Sequence, residues 1–123
     1  MKSKSLALSG LAAAAAIAGA LAGAAAADKL SGAQIRQAVI GNTVQGSMEG
    51  TGDYAEFYET DGTIRAQTYS GAWTIEGDRM CFQYGSDPKM CWDVAREGET
   101  LQWIKDGKVE GTGSVSPGNP NNY

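Results

Sequence analysis

The sequence predicts a mainly β domain, an antiparallel meander that closes into a small barrel or a curled sheet, with one short helix on its N-terminal side. Three observations carry this. From residue 43 onward the chain consists of short runs rich in Thr, Val, Ile, Tyr, Phe and Trp. Glycines paired with Asp or Glu punctuate those runs at regular intervals, as hairpin turns require. Just upstream, residues 30–42 carry helix-start and helix-stop signals instead.

The chain begins with a segment of a different kind. Lys2 and Lys4 precede an apolar run from Leu6 to about Leu21, and small residues close on Ala25-Ala26-Ala27 before Asp28. A positive start, a short Ala/Leu stretch and small residues at the cleavage positions make residues 1–27 a signal peptide, cut near Ala27/Asp28. The run is shorter than the roughly 20 apolar residues a bilayer crossing needs, so no stable membrane anchor is expected after cleavage. No cysteine stands just after the apolar run to take a lipid. Export to the periplasm is the expectation, with residues 28–115 forming a single β-rich domain and 116–123 an irregular tail.

Each element has its own signals. Ser31 is placed to cap a helix, Gln34 to complete a capping box, and Leu30 with Ile35 to form a hydrophobic staple, while Gly41-Asn42 ends the segment. Strands are expected at 43–48, 54–60, 63–69, 71–76, 79–84, 89–95, 100–105 and 108–115. Two-residue turns are expected at Asp61-Gly62, Gly77-Asp78, Glu97-Gly98 and Asp106-Gly107. Eight consecutive strands leave two sheet edges to hide, which favours a lipocalin-like barrel or a strongly curled sheet capped by the helix. The Pro117-Gly118-Asn119-Pro120 run is unsuited to a ladder, so coil is expected from Ser116.

Cys81 and Cys91 are the only cysteines, and an even pair in an exported chain predicts a disulfide. Their spacing matches neither the C-x-x-C of redox proteins nor a zinc site, and no metal or other cofactor is expected. If Cys81 faces Cys91, Met80, Phe82 and Tyr84 share the core face with Met90, Trp92 and Val94. Arg79 then stands opposite Asp93 on the outer face.

Composition removes several classes of function. Without the leader, eight basic and fourteen acidic side chains remain, a net charge of −6, with the cations scattered singly. That excludes the basic patch of a nucleic-acid binder and disfavours docking on anionic lipid. The absence of histidine removes the usual general base and the commonest metal ligand. Ser31, Ser47, Ser70 and Ser86 therefore lack an activating base, and no catalytic residue is assigned. Asp61-Gly62-Thr63 lacks the ligand pattern of a calcium loop.

The best candidate ligand-binding residues are Tyr54, Glu56, Tyr58, Arg65 and Tyr69. Alternation puts Tyr54, Glu56 and Tyr58 on one strand face, with Arg65 able to approach across the next turn. Aromatic faces beside a carboxylate and a guanidinium suit a sugar, an aromatic acid or a peptide. The competing interpretation is a tyrosine-filled core with Glu56 paired to Arg65. The expected function is a non-enzymatic binding or interaction module for a small ligand or an envelope protein. Its alternatives are an inhibitor of an envelope hydrolase presenting Gly85–Lys89, and a small hydrolase using Glu56 with Tyr54 or Tyr58.

The Leu30-Ser31-Gly32-Ala33-Gln34-Ile35 string, Gly41-Asn42-Thr43-Val44, Asp61-Gly62-Thr63, Gly71-Ala72-Trp73, the Cys81/Cys91 pair and the Pro117-Gly118-Asn119-Pro120 tail together resemble a family of small exported bacterial proteins of unknown function. The resemblance spans nearly the whole chain after the leader. It implies an envelope location in a Gram-negative bacterium and a β-rich single domain, and it implies no reaction.

Overall fold

The computed structural model describes residues 27–123; the leader expected over residues 1–27 lies, up to residue 26, outside them. A two-residue strand β1 (Asp28–Lys29) leads into helix α1 (Gly32–Val39). Eight strands follow: β2 (Asn42–Met48), β3 (Gly52–Tyr58), β4 (Thr63–Arg65), β5 (Ser70–Glu76), β6 (Arg79–Gln83), β7 (Met90–Glu97), β8 (Thr100–Lys105) and β9 (Lys108–Pro117). Among the described residues every pairing is antiparallel and between sequence neighbours, except that β9 also pairs with β2, which closes the ring, and β1 pairs with β7. The open, curled-sheet alternative is thereby settled in favour of a closed eight-stranded barrel. β1 extends the wall beside β6, pairing Asp28 with Arg96 and Lys29 with Ala95 of β7.

The helix forms as its caps dictate. The Ser31 hydroxyl accepts from Gln34 N at 3.2 Å while Gln34 Oε1 accepts from Ser31 N at 2.9 Å, so the capping box is complete. Ile35 and Val39 are buried with Leu30 in the same core as Val44, Tyr58, Trp73 and Met80, so α1 packs across one end of the barrel. Its first turn rests on the β5–β6 turn, where Gly32 N donates to Asp78 Oδ1 at 2.8 Å. A Cβ on Gly32 would stand 2.3 Å from the Gly77 carbonyl, so only glycine permits that approach.

The β6–β7 hairpin has the expected register: Arg79 opposite Asp93, Met80 opposite Trp92, Cys81 opposite Cys91. The disulfide bridges the outer face with a Cα–Cα distance of 4.0 Å. Inside, Phe82 meets Tyr58, Trp92 and Trp103 edge to face, the favourable arrangement for ring quadrupoles.

Four local expectations are corrected. The strand expected at 63–69 stops at Arg65, because Ala66 N bonds to Tyr69 O and turns the chain away. Four residues, Glu59 to Gly62, not two, join β3 to β4: Glu59 N bonds to Thr63 O and Gly62 N to Glu59 O. The β7–β8 turn is Gly98-Glu99, one residue later than expected, since Glu97 pairs with Thr100. Finally, Ser116 and Pro117 belong to β9, opposite Thr43 and Asn42. Proline is tolerated there because it ends the strand. The irregular tail starts at Gly118, held by Asn42 Oδ1 and the Thr43 hydroxyl.

Candidate functional site: a buried glutamate among tyrosines

Alternation along β3 turns Tyr54, Glu56 and Tyr58 into the barrel. A carboxylate in that position must recover the hydrogen bonds it loses to burial, and Glu56, only 5% exposed, does so entirely from phenols. Its Oε1 accepts from the Tyr58 hydroxyl at 2.7 Å, and its Oε2 from the Tyr69 hydroxyl at 2.6 Å. The Tyr84 hydroxyl sits 3.0 and 2.9 Å from the two oxygens and shares its single proton between them. No basic side chain among the described residues forms an ion pair with Glu56. The negative charge is therefore held by hydrogen bonds to three hydroxyls that each reach it from a different part of the wall.

Tyr54 makes the adjoining contact. Its hydroxyl accepts from Trp103 Nε1 at 2.8 Å and donates to the Thr112 carbonyl at 3.0 Å. The ring has room because β9 carries glycine beneath it: a Cβ on Gly113 would stand 2.4 Å from the Tyr54 hydroxyl oxygen.

The electrostatics follow from this packing. Burial pushes the Tyr58 and Tyr84 hydroxyls well above the ordinary phenol range, and the Glu56 charge adds to it. Burial also raises Tyr54, to about 12, against a lowering by the Trp103 N–H and with a further rise from Glu56. Tyr69 is raised for the same leading reason, then by its hydrogen bond to Glu56. Tyr69 is 45% exposed, so it bridges from solvent to the buried carboxylate.

Of the five expected residues, Tyr54, Glu56, Tyr58 and Tyr69 converge and Arg65 does not. Arg65 pairs with Phe57, which places it on the outer face, and its Nε lies 2.6 Å from Glu59 Oε2. The suggested Glu56–Arg65 pair is absent for that reason. Tyr84 was expected only on the core face. Glu56 itself was the missed signal: an inward carboxylate demands inward donors, and the alternation of β6 already pointed Tyr84 inward.

Beside this cluster the wall opens. β4 pairs with β3 only at Phe57 and Tyr58, and the β4–β5 loop then departs. The gap leads to a cleft of about 730 Å³ between β3 and that loop, lined by Asp53, Tyr54, Ala55, Gln67 and Tyr69, with Gln45 and Thr112 on its other flank and Tyr123 of the tail. Elsewhere, Glu76 lies near both Cys81 and Cys91, but both sulfurs are committed to the disulfide and are not free to bind a metal. Compared with protein-family models, curated proteins and solved structures, the chain matches none.

Proposed function

We propose that this protein is an exported, non-enzymatic binding module that receives its ligand in the side cleft beside β3. One observation carries the proposal: the opening in the wall stands beside the most polar part of the interior, with the Tyr69 ring reaching from solvent to Glu56. The barrel interior supports the same reading, because Trp73, Phe82 and Trp103 pack it and a ligand must then sit in a concavity of the wall. The lone pairs of Glu56 are already engaged by phenols, which favours an anchoring role for this carboxylate over that of a free base. The disulfide and the leader sequence both suit the periplasm. A lipocalin-like character would then rest on barrel shape alone, with the ligand at the flank.

Native mass spectrometry tests this on protein purified without denaturant after export in a Gram-negative host, in wild-type form and as Tyr69→Ala. Added mass retained by the wild type and lost from a folded Tyr69→Ala supports the cleft. Equal retention by both moves the site elsewhere.

A second reading has its own observation. Met90 is 44% exposed at the end of the Gly85–Lys89 loop, next to the disulfide, as an inhibitory loop held out toward an envelope enzyme would be. Loss of binding to such an enzyme on reduction would favour it.

A further inference from the structure

We infer that the occupant of the side cleft is an extended peptide segment that adds to the free edge of β3 as an extra strand; this rests on the cleft being the binding site. The argument is one of main-chain bookkeeping. In an antiparallel ladder, alternate residues of a strand turn both N–H and C=O toward the same neighbour. The bond from Glu59 N to Thr63 O places Glu59 among those facing β4, so Phe57, Ala55 and Asp53 face the same way. Phe57 finds Arg65 there. Carried on, that register would set Gln67 against Ala55 and Tyr69 against Asp53, but the Ala66–Tyr69 turn takes the loop out of the ladder.

Ala55 and Asp53 therefore direct two N–H and two C=O groups into the cleft, and among the described residues no strand meets them. Such an edge is a template for strand addition, in which main-chain bonds supply affinity and alternate side chains supply selectivity. A segment of about four residues spans it at ~3.4 Å per residue. A sugar could satisfy the side chains of the cleft but not this repeating donor–acceptor spacing. Charge selects further: among the described residues Asp53 is the only acidic or basic side chain lining the cleft apart from tyrosines, so the segment should place a Lys or Arg beside it.

The test uses the intact protein, isotope-labelled, and a pool of capped hexapeptides that alternate Thr and Val around one randomised position. Amide hydrogen exchange at Ala55 and Asp53 is the readout, with the same pool N-methylated at alternate amides and chitotetraose as comparators. The expected result is that the peptides slow exchange at both amides by more than about tenfold, that Lys or Arg is enriched at the randomised position, and that N-methylation abolishes the effect. Ala55→Pro, which removes an N–H that β2 does not use, should remain folded and lose the protection. If chitotetraose shifts the Tyr69 and Gln67 resonances while no peptide protects the two amides, the cleft binds but strand addition is wrong. If neither probe perturbs any cleft resonance, the inference and the cleft assignment both fall.

Discussion

The β6–β7 and β3–β4 hairpins belong to one meander yet are built in opposite ways. In β6–β7 the inward Met80, Phe82 and Trp92 are apolar, the ladder runs unbroken, and a disulfide clamps its outer face. In β3–β4 the inward positions include Glu56, and the ladder survives for two residue pairs. The difference lies in what the interior must satisfy. An apolar face needs only area to bury, which a regular ladder supplies. A buried carboxylate needs donors at about 2.7 Å, and one of them, Tyr69, comes from a loop that left the ladder to reach it.

Alkaline pH should produce the largest effect, because it ionises the buried phenols of the polar region, whereas the lysine ion pairs it also removes are at the surface and contribute little. An unfolded tyrosine ionises near pH 10, whereas Tyr54 holds its proton to about 12 and Tyr58 and Tyr84 are raised as well. Each raised group contributes stability that is complete below pH 10 and is lost as pH climbs through its folded-state value. Unfolding followed by circular dichroism should therefore begin above pH 10 and coincide with a cooperative rise in tyrosinate absorbance. A gradual, non-cooperative titration with the fold intact would mean that these hydroxyls are not protected.

Next in size is Glu56→Leu, which keeps the bulk and removes the acceptor. The Tyr58 and Tyr84 hydroxyls would be left buried without their partner, for a loss of about 3 kcal/mol in urea unfolding. Adding Tyr58→Phe and Tyr84→Phe to that variant removes the orphaned donors and should recover most of the loss. If it recovers nothing, the cost arises from packing and the contrast between the two hairpins fails.

How much of this could be read in advance divides along the same line. Period-two alternation, with Cys81 set opposite Cys91, identified the inward Met80, Phe82 and Trp92, the register of β6–β7 and the Arg79–Asp93 pair, because each is decided within fifteen residues of sequence. It also put Met90 inward, and there the structure corrects it, since Met90 at the loop end is 44% exposed. It also put Tyr54, Glu56 and Tyr58 on one face. Tyr84, 28 residues from Glu56, and Trp103, 49 from Tyr54, meet them only once the barrel closes. That closure depends on the stagger of all eight strands, which no local pattern encodes. The early end of β4 was hidden for a related reason: Ala66–Tyr69 carries no strong breaker, and Tyr69 is turned inward by a hydrogen-bond demand from another strand. Pro117 misled in the other direction, since a residue lacking an N–H can still occupy the last position of a strand.

The smallest of these effects belongs to the regular hairpin and gives the contrast its sharpest test. Cys81→Ala with Cys91→Ala removes a link across ten residues of separation, and the chain-entropy estimate puts the loss at about 2 to 3 kcal/mol. The ladder should outlive the link, because Met80, Phe82, Trp92 and the Arg79–Asp93 contact hold the same register without it. In the cysteine-free protein, amide exchange in β6 and β7 should rise no more than the global loss of stability requires, and the tyrosine cluster should titrate unchanged. If exchange instead rises locally in β6–β7 while the rest of the barrel stays protected, the covalent link is holding that ladder in place. Both hairpins would then depend on a specific linkage, a carboxylate in one and a disulfide in the other, and apolar alternation alone would not suffice in either.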